Sequence, residues 1–307
     1  MATISFVFSL YNEAETLPVL IERVRKVMSG EPDEYEMIFV NDCSTDGSVD
    51  VLAEEAKKKG NEDIVIVNLA RRFGVEESFV AGVKTARGDA VIMMYTDMQD
   101  PPELIHRMLE SWREGAEVVH SVRRRRIGEH PLKKAAAFFA YRIISRLAEV
   151  RIPIDCGEFK LISRNVAEHL LAMPEAEPYL RGLIPWIGFR QVYLEYDMQP
   201  RLVGKSKVPL FGKKAWTVFL SGVVSFSDSP VYLVLLAGIV GLALSALSAV
   251  MLLFGLLPGW FTARETLLIF LWASLMFSLG FVGVYIIRIY KNTRGRPRYI
   301  IQDTRRL

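Results

Sequence analysis

The chain has 307 residues, 51% of them hydrophobic and 24% charged, with a formal net charge of +3. That balance excludes a disordered protein and leaves room for one large domain plus an appendage. Two cysteines, Cys43 and Cys156, exclude a disulfide framework and show no metal-ligand spacing, which points to a reducing compartment.

The opening segment MATISFVFSLYNEAE has neither a basic n-region nor a small-residue cleavage site, and its apolar run is too short for a signal segment. Residues 4–9 are therefore read as a first buried strand, with Tyr11, Asn12 and Glu13 at its carboxyl end and a helix over about 15–28. A second strand over 36–40 leads into Asn41-Asp42-Cys43-Ser44-Thr45-Asp46-Gly47 and a helix through Lys59. The third strand, 64–68, precedes Arg71-Arg72-Phe73-Gly74 and a helix over 77–86. The fourth, 90–94, runs into MMYTDMQDPPE, residues 93–103. Strands alternating with helices at this spacing predict βαβ units and a mostly parallel sheet. The first βα turn carries no GxGxxG fingerprint and no P-loop, which argues against a dinucleotide-dependent dehydrogenase or an NTPase.

Asp97, Gln99 and Asp100 fall at the carboxyl end of the fourth strand, where open α/β sheets bind ligands. Two carboxylates and an amide oxygen so close together offer hard ligands for Mg²⁺ or Mn²⁺, which can in turn hold a diphosphate. Taken singly, each polar loop also reads as a helix cap or turn. Four of them on one rim favour a binding edge.

After a strand-like stretch at 118–121 come Arg123-Arg124-Arg125-Arg126, which read either as a solvated face or as a receiver for a lipid phosphate. A helix is expected over about 132–149. IDCGEFKL, residues 154–161, places Asp155 and Glu158 in a short turn before another strand, and either could be a general base within hydrogen-bond reach of an acceptor. Arg201, Lys205, Ser206 and Lys207 are further anion-binding candidates. Residues 208–228, with Lys213, Lys214 and Trp216 among apolar and aromatic side chains, resemble an amphipathic helix in the membrane interface more than a core helix.

Residues 229–263 contain no charged side chain, and 266–287 form a second uncharged stretch beyond Pro258-Gly259, Arg264 and Glu265. A bilayer core needs roughly 20 residues of helix, so two spans, about 230–257 and 266–287, form a transmembrane hairpin. The tail 288–307 carries seven basic residues against the single acid Asp303, and by the positive-inside rule both termini face the cytoplasm. The basic clusters would suit nucleic acid or a phosphate substrate at an anionic membrane; beside a hairpin the latter is the expectation, without nucleic acid.

The blocks FSLYNEAETL, VNDCSTDGS, ARGDAVIMMYTDMQDPPE, IDCGEFKLISR and GKSKVPL, in this order and followed by two spans, resemble the polyprenyl-phosphate glycosyltransferases of glycosyltransferase family 2, relatives of bactoprenol glucosyltransferase and dolichol-phosphate mannose synthase. The resemblance covers nearly the whole chain. It implies a GT-A domain, Rossmann-like with a mostly parallel sheet, over 1–207; the juxtamembrane segment, the hairpin and a basic cytoplasmic tail follow. It implies inverting transfer of a sugar from a nucleotide-sugar, with UDP-glucose as the first expectation, to a polyprenyl phosphate such as undecaprenyl phosphate at a bacterial-type inner membrane, for cell-envelope glycan modification. Assembly as a homo-oligomer is also implied. Carried over by position, Tyr11, Glu13 and Asp42 surround the nucleotide, and Asp97 and Gln99 hold metal and diphosphate. Asp155 or Glu158 is then the acid near the reacting centre, and Arg123, Arg126, Ser206 and Lys207 face the lipid phosphate. Two positions depart from the family's pattern: Tyr95 stands where the first aspartate of an Asp-x-Asp motif is usual, and Glu158 where an aspartate is usual. The first departure bears on metal dependence and supports a reading as a catalytically silent nucleotide-sugar-binding scaffold; a different lipid or glycan acceptor is a separate alternative.

Overall fold

Four apolar runs, β1 (Thr3–Leu10), β2 (Glu34–Asn41), β3 (Ile64–Leu69) and β4 (Ala90–Tyr95), lie side by side with their inner residues buried on both faces. Continuous burial of this kind is what a parallel sheet covered by helices requires. The computed structural model describes residues 1–58, 63–126, 156–200 and 261–307, with a few single positions between 234 and 254. The predicted helix over 132–149 and the juxtamembrane segment 208–228 fall outside the described residues, as does most of the first predicted span.

Among the described residues, eight strands form one sheet in the order β7-β5-β6-β4-β1-β2-β3-β8. β1 pairs in parallel with β2 and β4, and β2 with β3. β6 (Cys156–Ser163) runs antiparallel to β4 and to β5 (Val118–Arg126), whose other neighbour is the parallel strand β7 (Gln191–Met198). The opposite edge is closed by β8 (Ile301–Arg306), antiparallel to β3. This mostly parallel α/β arrangement agrees with the GT-A expectation.

Side chains alternate across the strands, so each face has its own helices. On one face Phe6, Phe8 and Phe39 stack, with Phe8 and Phe39 centroids 4.7 Å apart. Helix α1 (Leu17–Met28) is amphipathic: it buries Leu17, Leu20, Ile21, Val24 and Met28 into the same core, a period-3.6 stripe, and α4 (Ile105–Arg113) adds Ile105, Met108 and Leu109. Pro18 in the first turn costs α1 nothing, because that N–H has no intrahelical partner. On the other face α3 (Val75–Thr85) crosses β1 and β2 at Gly82, where an added Cβ would stand 2.1 Å from Val7 Cγ1; only glycine permits that approach. Among the described residues, α2 (Ser48–Ala56), α5 (Arg164–Ala172) and α6 (Leu180–Ile187) are the other α-helices of the domain.

Three boundaries differ from the sequence expectation. The arginine run is the end of strand β5, because pairing with β7 continues to Arg126↔Met198. Glu158 lies inside β6, where pairing to β4 and β5 replaces the expected turn. The basic tail ends in a strand, β8.

By its contacts the chain divides into Met1–Gly222 with Arg296–Leu307, and Val223–Gly295. The second unit contains α7 (Phe261–Thr293), 33 residues long, which includes the predicted span 266–287. Its stretch Ser274–Thr293 is long and apolar enough to cross a membrane, by length and composition.

Candidate active site

The parallel strands all end at one rim, and the loops that leave them are bound to one another. Asp42, 3% exposed at the end of β2, accepts the backbone N–H groups of Phe73 at 2.6 Å and Gly74 at 3.3 Å, which ties the loop after β2 to the loop after β3. Gly74 has φ +133°, a conformation other residues rarely adopt. Between the loops after β1 and β2, Asn12 N–H donates to Ser44 Oγ at 3.1 Å, its Nδ2 donates to Thr45 Oγ1, and its Oδ1 accepts Thr45 N–H at 2.8 Å. Glu13 N–H is held by Ser48 Oγ. Three of the four non-glycine residues with left-handed φ among the described residues, Asn12, Cys43 and Met98, sit in these rim loops. Such strain persists where the surroundings over-determine it, commonly at functional sites. Tyr11 lies under the Arg72 guanidinium, 3.7 Å from its ring centroid, and Arg72 Nε is 3.8 Å from Asp42 Oδ2. Tyr11, Glu13 and Asp42 are thus brought together on one rim.

Beyond β4, Asp97 and Gln99 are half-buried, and Gln99 N–H donates to Asp97 Oδ1 at 3.2 Å. Asp100 points inward, 1% exposed; its Oδ1 accepts the Tyr196 hydroxyl and an Arg123 N–H at 3.4 Å. Burial pushes its carboxyl pKa up, and Arg123 opposes that shift. Arg123 also donates to Tyr196 Oη at 2.9 Å. An added Cβ at Gly157 would lie 2.6 Å from an Arg123 nitrogen, so glycine there opens the path along which this side chain reaches Asp100. Arg123, expected at the lipid phosphate, is thus bonded to the acidic motif itself. The side chain of Arg126, together with Asp155, Ser206 and Lys207, lies outside the described residues.

Glu158 is fully buried and bridges Arg181 Nε at 2.7 Å and Lys160 Nζ at 3.3 Å. Burial alone would raise its pKa, but the two cations outweigh it and hold the carboxyl below its ordinary value. A carboxylate held ionised in this way is a weak proton acceptor, and its evident effect is to fix Lys160 and Arg181. Half-buried Glu76, at the start of α3, takes the opposite shift: burial, and then the charge of Glu158, push it up to about 8. The unfolded chain ionises this carboxyl near 4.5 and the native fold near 8, so between those values the native state holds an extra proton and stability falls as pH rises. Glu76→Gln is expected to flatten that slope, read as melting temperature against pH from about 4 to 8.5; an unchanged slope would move the proton elsewhere.

Met93 pairs with Lys160 across β4 and β6, and strand alternation puts Tyr95 on the same face as Met93. The Tyr95 ring stands edge-on to Phe79 at 5.6 Å, with the charges of Arg181 and Glu158 acting on a phenol that burial keeps neutral. An aspartate here would present a carboxylate; Tyr95 presents none. The side-chain oxygens of Asp97 and Gln99, and the buried Asp100 Oδ2, which has no hydrogen-bond partner among the described residues, are hard donors that suit Mg²⁺ or Mn²⁺. Among the described residues no group of three His, Cys, Asp or Glu could encircle a metal. The set fits an ion that shares its shell with a bound diphosphate.

Arg181, Glu76 and Tyr196 join the site without any motif to mark them, and Arg72, in the loop after the third strand, joins it without an assigned role. Arg181 and Tyr196 come from α6 and β7, far along the chain from the residues they touch, and only the pairing of β5 with β6 and β7 brings them in.

Residues 5–171 match the family Glycosyl transferase family 2. The chain is 36% identical over 306 residues to the uncharacterized glycosyltransferase YkcC of Bacillus subtilis (strain 168), covering 98% of this chain and 93% of that one. It is 32% identical over 305 residues to the bactoprenol glucosyl transferase of Shigella phage SfX, covering 98% and 99%. The fold is similar to glucosyl-3-phosphoglycerate synthase from Mycobacterium tuberculosis, crystallised with Mn²⁺, UDP-glucose and phosphoglyceric acid, at TM-score 0.50 and 18% identity, covering 73% of this chain and 79% of that one.

Proposed function

The chain belongs to glycosyltransferase family 2, and from that membership we propose that it transfers a hexose, glucose from UDP-glucose in the first instance, to the phosphate of a membrane-embedded polyprenyl carrier such as undecaprenyl phosphate. The observation that carries this reading is that the loops holding Tyr11 and Asp42 are bonded to each other on the same rim as the loop holding Asp97, whose Thr96 hydroxyl donates to Ser9 O of β1 at 3.3 Å. Tyr11 and Asp42 receive the base and ribose of the donor, and Asp97 and Gln99 face its diphosphate.

Transfer forms a bond from a phosphate oxygen of the carrier to the anomeric carbon as the bond to the nucleoside diphosphate breaks, with inversion. The acceptor is already an anion, so removal of a proton contributes little. Cations that stabilise the charge moving onto the leaving diphosphate contribute more, and the buried carboxylate of Glu158 holds Lys160 and Arg181 in place for that. A divalent ion bound at Asp97 and Gln99 would add the same kind of charge stabilisation.

Chain connectivity supports a hairpin at a cytoplasmic membrane face. The strand β8 follows α7 directly and is hydrogen-bonded into the sheet that contains β1 to β4. If α7 crosses a membrane, the two ends of the chain can share one sheet only if the chain crosses a second time between 201 and 260, where the first uncharged stretch lies. The catalytic domain and both termini then lie on one side, and the basic tail places that side in the cytoplasm.

Purified protein with UDP-glucose, undecaprenyl phosphate and Mn²⁺ is expected to yield a lipid-linked hexose and UDP in equal amounts. A panel of other nucleotide-sugars locates the donor if glucose is not transferred. Tight nucleotide-sugar binding with no turnover on any carrier would support the silent scaffold that Tyr95 suggests.

A further inference from the structure

We propose that the last strand of the chain is a working part of the donor site: Asp303 sets the hydrogen-bond polarity of a line of side chains that positions the loop around Asp42. The inference rests on the reading of that loop as the nucleotide site. In the β3–β8 pair Asn68 stands opposite Asp303, and Asn68 Nδ2 donates to Asp303 Oδ1 at 2.9 Å. Asn68 Oδ1 in turn accepts from Asn41 Nδ2 at 2.9 Å, Asn41 Oδ1 accepts Ser44 N–H at 2.8 Å, and Ser44 Oγ accepts Asn12 N–H at 3.1 Å. Asn41 and Asn68 are both nearly buried, at 6% and 8% exposure, so water cannot easily replace the bond between them, whereas the Asp303 side chain is 35% exposed.

An asparagine amide presents a donor at one end and an acceptor at the other, and it can flip; an ionised carboxylate only accepts. Asp303 therefore forces the NH₂ of Asn68 toward β8 and its oxygen toward Asn41. That in turn points the NH₂ of Asn41 at Asn68 and leaves the Asn41 oxygen for Ser44 N–H. A donor at 303 would reverse each amide and bring the NH₂ of Asn41 against Ser44 N–H, donor against donor. The loop that would yield holds Asp42 and the left-handed Cys43, φ +60°. Both ends of β8 are fastened to the rest of the domain. Ala70 N–H donates to Ile300 O at 2.9 Å, Leu307 N–H donates to Ile64 O at 3.1 Å, and Arg306 bonds Glu36 at 3.1 Å. Because β8 follows α7 in the chain, the donor site is complete only when the tail beyond that helix has returned to the sheet.

The test uses the full chain in detergent, with UDP-glucose titration, steady-state turnover and hydrogen exchange at the Ser44 amide. Asp303→Lys is expected to raise Kd and KM for UDP-glucose by on the order of tenfold with kcat little changed, and to speed Ser44 exchange. Asp303→Ala should fall between this variant and the wild type, and Asp303→Asn, which still offers an acceptor, should stay within about twofold. Arg305→Ala, which removes only the 3.2 Å surface contact with Asp303, should match the wild type. Unchanged exchange and affinity in Asp303→Lys would overturn the proposal, as would equal losses in Asp303→Lys and Asp303→Asn. If exchange responds while the wild type binds no nucleotide-sugar, the relay stands and the donor-site reading falls.

Discussion

Asp97→Ala is expected to lower glycosyl transfer by on the order of a hundredfold or more, with a melting temperature close to that of the wild type. The two parts of this expectation come from different features of the residue. Asp97 is half-buried on the rim, outside the apolar core, so its truncation opens no large cavity. Its carboxylate is the acid of the motif that faces outward, because Tyr95 supplies none and Asp100 is committed to Tyr196 and Arg123. On the proposed reading Asp97 supplies the rim carboxylate of any metal shell, with only the buried Asp100 Oδ2 beside it, because Tyr95 supplies none. The contrast with Asp100→Ala is diagnostic: that change unpairs a buried guanidinium, so it should lower stability together with activity. Turnover at the wild-type rate in Asp97→Ala would move the diphosphate away from this loop.

Glu158→Gln is expected to destabilise the domain by about 3–5 kcal/mol, because it removes the carboxylate held between Lys160 and Arg181, and Glu76, the other acid that acts on both, is pushed toward its neutral form by burial. Lys160 is 1% exposed and the side chain of Arg181 19%, so solvent screens the first of them hardly at all. For a domain of this size the loss corresponds to a drop in melting temperature of roughly 6–20 °C. Glu158→Asp keeps the charge but withdraws it by one methylene, and should cost less. Removing the buried amine as well, in Glu158→Gln with Lys160→Met, should recover part of the loss, because a neutral pair needs no compensation. Thermal or denaturant unfolding of the wild type and these variants measures the coupling. A single Glu158→Gln variant that melts within about a degree of the wild type would show that the cluster is not held by this charge.

The parts of the fold that were legible in sequence are those that local physics decides. Mostly apolar runs at 4–9, 36–40, 64–68 and 90–94, each followed by an amphipathic stretch, admit little other than βαβ units, and all four became parallel strands. The rim followed directly, since parallel strands must all end on one side and the polar loops came after them. Asp97 and Gln99 could be placed on it for that reason, and the family resemblance added Tyr11 and Asp42.

Other features depend on contacts between residues far apart in the chain, which no local pattern encodes. Four consecutive arginines look alike in sequence, but β-strand alternation and pairing with β7 send Arg123 inward to Asp100 and leave Arg124 outside, paired with Asp197. Glu158 read as a turn acid because Gly157 and Cys156 precede it; two flanking strands made it a buried ion-pair centre. Arg181 and Glu76 could not be connected to it from the sequence, because α6 and α3 meet it only once the sheet has formed. The same holds for the basic tail: its sequence says only that it is cationic, whereas the exposed edge of β3, with Asn68 needing an acceptor, selects the stretch containing Asp303 as its partner strand.

By itself, then, the sequence determined what periodicity and composition can carry: the parallel sheet, its polar rim, an acidic motif at the end of the fourth strand, and an apolar stretch long enough to span a membrane; that Tyr95 stands where a carboxylate is usual came from the family resemblance. Tertiary structure alone decided which charges are buried against which, that Glu158 is an anion fixed between two cations, and that the far end of the chain closes the edge of the sheet. The physical reason is one of range. Hydrophobic patterning acts through neighbours three or four residues apart, while the pairing of buried polar groups is settled by whatever the folded backbone brings within about 3 Å.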